Sequence, residues 1–310
     1  MIGKSRSWWF ERLGARPDRH GSWRVTGRRD VPEGAPADWC LEDVELHSYG
    51  ERLVSVVVRP TEPGQPCPAV VVPFYDVDSV LAVPGDRAPD GVATGPARRG
   101  GRGYAAALAR RGLAVLAVPW WFEQRAAARP DTAGATELSA RYGPAAEEHA
   151  RRRPGTGLGR AVADLLLAVD ALVAQPWVDP GRLGAFGHSL GGKLVLHLAA
   201  LDERIHAAAA HEPGVGFAYS NWAAPWYWGE RLPTERDQDD LLGLVAPRSF
   251  LLAGGGASDG QHNRHLVERA RGAWPGGAGL DVLSHGGGHP LPDRVLGAIA
   301  GWLSTELARP

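Results

Sequence analysis

Residues Arg182 to Leu201, RLGAFGHSLGGKLVLHLAAL, join a short apolar run to an Ala/Leu-rich helical pattern through the pentapeptide Gly187-His188-Ser189-Leu190-Gly191. When a G-x-S-x-G sequence sits between a strand and a helix, a sharp turn lifts the serine oxygen above the sheet edge and aims the next backbone N–H groups at the same spot. Bulky side chains two positions either side of the serine would strike the strand and the helix, which accounts for Gly187 and Gly191. Ser189 is therefore the candidate nucleophile. The plainer account is a glycine-rich loop in which Ser189 caps the following helix.

On either side of this turn the chain alternates between strand and helix. Val44 to Ser48 and Leu53 to Arg59 read as antiparallel strands joined at Tyr49-Gly50-Glu51. Ala69 to Val72 (strand), Tyr104 to Arg111 (helix), Leu113 to Val118 (strand), Leu158 to Gln175 (helix) and Arg182 to Phe186 (strand) then follow the βαβ rhythm of a parallel sheet covered on both faces. Helix Leu190 to Leu201, strands Ile205 to Ala210 and Arg248 to Ala253, helix His262 to Gly272, strand Leu280 to Ser284 and helix Arg294 to Leu307 complete about eight strands. Val162, Leu165, Leu166, Val169, Leu172 and Val173 give the helix from Leu158 an apolar stripe, with Asp164 and Asp170 interspersed and Pro176 as its stop.

The fold class expected is α/β, a mostly parallel sheet with helices on both faces. The 310 residues, 44% hydrophobic and 22% charged, suit one globular domain spanning 41–310 after an Arg/Pro/Gly-rich leader, 1–40, that packs on the core or cap. Irregular insertions near 76–103, 122–157 and 214–247 all follow strands, so they gather as a cap over the carboxyl ends of the sheet, where open α/β sheets bind ligands. A net charge of −1 provides no field for nucleic acid, and Arg151-Arg152-Arg153 reads as a solvated loop. No apolar stretch approaches the roughly 20 residues needed to span a bilayer, and the opening residues have no secretory core, so a cytoplasmic protein without membrane contact is expected. Cys40 and Cys67, the two cysteines, stand far apart and imply free buried thiols rather than a disulfide or zinc site; no metal or other cofactor is expected.

A serine hydroxyl needs an imidazole to take its proton and a carboxylate to orient that imidazole. With the order Ser, acid, His, the base belongs on the loop after the last strand. That loop is Ser284-His285-Gly286-Gly287-Gly288-His289-Pro290, in which His289 ranks ahead of His285 because it lies just before the terminal helix. Asp259, reached through Gly254-Gly255-Gly256-Ala257-Ser258, is the preferred acid, although it could instead cap a helix. Glu212, at the end of the preceding strand, is the rival acid. The oxyanion donors expected are the N–H of Leu190 and that of Tyr75 in Pro73-Phe74-Tyr75-Asp76, since Pro73 has none. His188 reads as packed beneath the turn, His197 lies within a helix, and His262 and His265 stand at a helix start.

The stretch Gly159 to Ile205, the tetrapeptide HEPG (His211 to Gly214), Asp240 to Gly255 and the HGGGHP loop together resemble the α/β-hydrolase superfamily. Within it the chain is similar to the dienelactone-hydrolase-like and acetylxylan- or glucuronoyl-esterase-like branches. The resemblance implies a serine hydrolase acting on a small-molecule acyl substrate. Two departures narrow it: Leu190 stands where glucuronoyl esterases carry an arginine, and Ser189 where dienelactone hydrolases carry a cysteine. Residues 73–76 contain no His-Gly-Gly-Gly tract, which argues against the hormone-sensitive-lipase-like esterases.

Twelve tryptophans are many for this length; Trp222, Trp226 and Trp228 fall in the last insertion, and Trp120 follows another strand just before the second. Rings above the serine would give an apolar or sugar-stacking substrate site, or they would form a small core of the insertions themselves. Trp8, Trp9 and Phe10 are expected to join that cap or to mediate a homodimer contact. Two other functions fit the same residues: an acyltransferase or cyclase of secondary metabolism, favoured by a dry aromatic cap, and a non-catalytic binding protein on a hydrolase scaffold.

Overall fold

The computed structural model describes residues 5–15, 23–31, 33–81 and 102–309. In chain order the elements are α1 (Arg6–Leu13), β1 (Trp23–Arg29), β2 (Trp39–Ser48), β3 (Glu51–Pro60), β4 (Cys67–Phe74), α2 (Val77–Leu81), α3 (Tyr104–Ala109), β5 (Ala114–Pro119), α4 (Trp121–Ala127), α5 (Leu138–Arg152), α6 (Gly157–Val173), β6 (Val178–His188), α7 (Leu190–Leu201), β7 (Ile205–His211), α8 (Gln238–Gly243), β8 (Ser249–Gly254), α9 (Arg264–Arg271), β9 (Leu280–Ser284) and α10 (Asp293–Leu307).

The strands form one nine-stranded sheet in the order β1-β2-β3-β5-β4-β6-β7-β8-β9. Antiparallel pairing runs from β1 to β5, and every pair from β5 through β9 is parallel. The alternation of side chains along a strand decides which helix covers which face. On β4 and β5, Ala69, Val71, Ala114, Leu116 and Val118 join the core under α6 and α7. Val70, Val72, Val115 and Ala117 join the core under α3 and α10.

The sheet has one strand more than the eight expected, because β1 lies inside the Arg-rich leader. Its exposure is nearly continuous, with Trp23, Gly27 as the only partly covered positions, so it lacks the alternation that marks a half-buried strand. The stretch 122–157 is likewise more regular than expected, since it carries most of α4 and all of α5, a helix that tolerates Pro144 inside it. The arginines Arg151 and Arg152 end α5 rather than sit in a loop; Arg152 pairs with Glu148 at 2.8 Å, and Arg153 lies 4.5 Å from the Tyr49 ring centre. Residues 82–101 of the first insertion lie outside the described residues.

Helix α6 is buried on nearly all sides rather than on one stripe. Asp164 is therefore not on a solvent face: it takes Arg160 at 2.9 Å and the hydroxyl of Ser48, a paired arrangement that a buried carboxylate requires. The outer cover comes partly from α1. Thr156 caps α6 by accepting from the N–H of Gly159 at 2.9 Å and donates to the Leu13 carbonyl at 3.1 Å. Trp9 is fully buried with its ring 6.1 Å from that of Trp228.

Candidate active site

Strand β6 passes into α7 at Ser189, whose φ of 55° and ψ of −114° lie where an L side chain is rarely found. The two flanking glycines make the bend feasible. A Cβ on Gly187 would come 2.1 Å from the Gly191 carbonyl carbon, and one on Gly191 would come 2.3 Å from the Pro73 carbonyl oxygen. Ser189 itself is only half-buried, and its N–H donates to the His211 carbonyl at 2.8 Å, which stitches the bend to the end of β7. Leu190 is the first residue of α7, where N–H groups have no partner within the helix.

His289 reaches this bend from the loop after β9. Its Nε2 lies 2.9 Å from Ser189 Oγ. Its Nδ1 lies 3.6 Å from Glu212 Oε2, an ion-pair separation longer than a formed hydrogen bond, and 3.4 Å from Ser258 Oγ. Resting contacts of this kind often tighten only with substrate bound.

Glu212 follows β7 with a φ of 51°, a second strained side chain beside Ser189. Its buried carboxylate accepts the N–H groups of Gly255, Gly256 and Ser258. Burial alone would push this carboxyl up, but His289 and the N–H groups of Ser258 and Gly255 outweigh it and hold the pKa at about 2. Glu212 is thus a fixed negative charge aimed at the imidazole.

Asp259, preferred from sequence, does not occupy that place. Its carboxylate accepts the N–H groups of Gly214 at 2.6 Å and Val215 at 2.8 Å, and the Asn263 amide at 2.9 Å. It ties down the segment after Glu212 instead of meeting His289. Burial pushes its carboxyl up, with the backbone donors working the other way.

The four tryptophans expected to meet substrate are enclosed in packing. Trp120, Trp222, Trp226 and Trp228 retain 2%, 0%, 5% and 1% of their exposure. Trp120 packs edge-on against Tyr142 at 4.8 Å between centres, and Trp222 Nε1 donates to the Gly214 carbonyl at 2.7 Å. Their rings pack edge and face against one another, with the indole N–H groups of Trp120 and Trp228 left without an acceptor, so the tryptophans form an apolar core of their own. Tyr75 is a half-buried ring beside this cluster, 5.9 Å from Trp120 and stacked 6.4 Å from Tyr142.

Two features escaped the sequence reading. Lys193, one turn after Ser189, is buried with Nζ 2.9 Å from the Pro213 carbonyl, 2.7 Å from Ser220 Oγ and 3.7 Å from the Trp222 ring centre. Burial lowers its pKa to about 7. The other is a contact between histidines, His188 to His211 and His211 to His285. The visible signal was a histidine directly before each of Ser189 and Glu212. Cys40 and Cys67 are free and half-buried, a little more open than expected, and no group of metal-ligating side chains occurs among the described residues. No helix among them is long and apolar enough to cross a membrane.

Comparison with known proteins agrees with this architecture. The prolyl oligopeptidase family matches residues 132–242. The Bacillus subtilis (strain 168) protein YtaP, named as a hydrolase, is 27% identical over 260 residues, 81% of this chain and 79% of its own. A glucuronoyl esterase from Solibacter usitatus superposes with a TM-score of 0.66 at 16% identity, over 99% of this chain and 95% of that one. Acetyl xylan esterase 1 from Thermoanaerobacterium sp. JW/SL YS485 gives 0.57 at 17% identity, over 98% and 93%. Sheet order, the strained serine between β6 and α7, and these superpositions agree on one conclusion: the chain has the α/β-hydrolase fold.

Proposed function

We propose that the protein is a serine hydrolase of carboxylic esters, thioesters or lactones, working through an acyl-enzyme on Ser189. The observation that carries this is His289 standing between two partners, Nε2 at 2.9 Å from Ser189 Oγ and Nδ1 at 3.6 Å from Glu212. His289 Nε2 takes the hydroxyl proton as Ser189 Oγ bonds to the acyl carbon, then returns it to the departing alkoxide or thiolate. In the second half the same nitrogen takes a proton from water as its oxygen bonds to the acyl carbon, then gives that proton to Ser189 Oγ as the acyl–Oγ bond breaks and the acid departs. Glu212 keeps the Nδ1 proton in place and offsets the imidazolium charge. The N–H groups of Leu190 and Tyr75 serve the developing oxyanion.

Among the relatives, YtaP is named as a hydrolase and the superposed structures as esterases, which supports ester chemistry. Leu190, in place of the arginine expected after a glucuronoyl esterase nucleophile, argues against a uronate as the acyl group. The burial of the cap tryptophans removes the dry aromatic lining that would favour an acyltransferase or cyclase. The free thiols of Cys40 and Cys67 suit a reducing cytoplasm. The test uses a short p-nitrophenyl ester, a thioester and a peptide anilide with wild type and Ser189→Ala, alongside labelling by a fluorophosphonate. Ester turnover and labelling should both vanish in the variant; turnover that survives it rejects the assignment.

A further inference from the structure

Each of the three side chains assigned to chemistry is carried on a segment that also carries a histidine. His188 precedes Ser189, His211 precedes Glu212, and His285 lies on the same loop as His289. These three histidines touch in sequence: His188 Nδ1 lies 2.7 Å from His211 Nδ1, and His211 Nε2 lies 2.8 Å from His285 Nε2. Their rings are close to parallel, at 25° and 14°. The middle ring is fully buried, His188 nearly so, and His285 is half-buried at the outer end.

The direction of the hydrogen bonds follows from one backbone group. The N–H of Gly287 donates to His285 Nδ1 at 3.1 Å, so that nitrogen carries a lone pair and the proton resides on Nε2. His285 Nε2–H then donates to His211 Nε2, and His211 Nδ1–H donates to His188 Nδ1, leaving the His188 proton on its Nε2. Adding a proton anywhere would set donor against donor. Burial opposes it as well, pushing His211 down to about 4 and His188 well below its ordinary value. His188 also faces His289 and the Arg102 charge, which act in the same direction. His211 faces His285, His289 and Glu212, and only Glu212 favours its charged form.

Building on the hydrolase reading above, we propose that His188, His211 and His285 form a neutral, one-way hydrogen-bonded chain that sets the register of the segments bearing Ser189, Glu212 and His289, with His211 as the positioning residue. The His211 backbone has a matching part, since its carbonyl accepts from the Ser189 N–H at 2.8 Å. The outer link is braced by the loop, where the N–H of His285 donates to the Gly254 carbonyl at 3.1 Å and that of Gly288 to the Gly255 carbonyl at 2.8 Å. Slack in any link would let the imidazole drift from the serine, and a misplacement near one ångström can cost about a hundredfold in rate.

The experiment compares wild type with His285→Phe, His285→Gln and His211→Phe by steady-state kinetics on a p-nitrophenyl ester, by fluorophosphonate labelling, and by thermal unfolding. Phenylalanine keeps the ring shape without nitrogen, whereas the glutamine amide can donate from the position of Nε2. His285→Phe should lower kcat and the labelling rate about tenfold with KM and the unfolding midpoint nearly unchanged, and His285→Gln should restore most of the loss. Imidazole 15N spectra of the Ser189→Ala protein give a reading that needs neither activity nor a core substitution: His285 protonated on Nε2, His211 on Nδ1, His188 on Nε2. A His285→Phe enzyme with wild-type kcat and labelling, or a His211 protonated on Nε2, overturns the chain while leaving the hydrolase reading intact. A wild-type protein that neither turns over the ester nor labels overturns both.

Discussion

The amide of Ser189 and the carbonyl of His211 share a hydrogen bond of 2.8 Å, which joins the strained turn after β6 to the residue directly before Glu212. Two positive-φ side chains are thereby held side by side, at 55° for Ser189 and 51° for Glu212. Strain of this sort persists only where neighbours over-determine it. Here the neighbours are the β6–β7 pairing, which runs to His188 opposite His211, and the three N–H groups that grip the Glu212 carboxylate.

The proposed choice of Glu212 as the acid rests on that grip and is directly measurable. Glu212→Gln should lower kcat by about 10²–10⁴ on a simple ester, since a neutral amide neither fixes the imidazole tautomer nor offsets its charge. Asp259→Asn should keep activity within about tenfold but cost about 1–3 kcal/mol of stability, because one of the two backbone donors at Gly214 and Val215 loses its carboxylate oxygen. Kinetics and urea unfolding of both variants decide it. A larger kinetic loss in Asp259→Asn would return the role to Asp259.

Glu212 also marks the acid limb of stability. Its pKa is about 2 in the fold against 4.5 as the ordinary value, so the unfolded chain binds its proton first as the pH falls. The stabilisation is complete above about 4.5 and is lost as the pH drops towards 2. Wild type should therefore lose stability through this window more steeply than Glu212→Gln, as followed by unfolding midpoints at stepped pH. Parallel curves would show that the carboxylate is not held as described.

The strain at Ser189 predicts a conflict between stability and chemistry. Ser189→Gly should raise unfolding free energy by about 1 kcal/mol, since glycine adopts this backbone freely, and should abolish turnover. Ser189→Ala removes the same hydroxyl but keeps the Cβ, so its stability should stay near that of wild type. Gly187→Ala should go the other way: its Cβ would meet Gly191 backbone at 2.1 Å, and overpacking against atoms that cannot rotate aside costs typically about 1–3 kcal/mol or more. Equal stabilities for all three would remove the argument from the bend.

These residues also show what a sequence discloses. The elbow was legible because its demands are local: glycines at two and two from the serine, an apolar strand before and a helix after. His289 was legible because the chain order and the glycine-rich loop leave few candidates. Which carboxylate stands beside His289 was not, since Asp259 and Glu212 both follow strands that end at the site, and only the folded chain brings the Gly214 and Val215 N–H groups onto Asp259. Strand β1 was missed for a related reason. As an edge strand exposed along most of its length it shows no alternation, and its arginines pair with Glu42, Asp43 and Glu45 on the next strand, a pattern that reads in one dimension as a charged leader. The tryptophans were legible as a cluster but not as one enclosed on all sides.

Lys193 carries the last expectation. It is a cation enclosed between α7 and the segment after Glu212, and burial brings its pKa from 10.5 to about 7, with Asp259 pulling the other way. Below about pH 7 the folded protein must keep the charge buried, which opposes folding in full; above about 10.5 neither state carries it. Between these limits the unfolded chain binds a proton that the folded one does not, so stability rises with pH. Lys193→Met keeps the length and apolar stem while removing the titration, although the Pro213 carbonyl and Ser220 hydroxyl lose a donor. Unfolding free energies measured from pH 6.5 to 10 should climb more steeply in wild type than in the variant, by about one proton's worth of slope. A constant difference across that range would mean that Lys193 stays charged throughout, held by Pro213, Ser220 and the Trp222 face rather than neutralised by its surroundings.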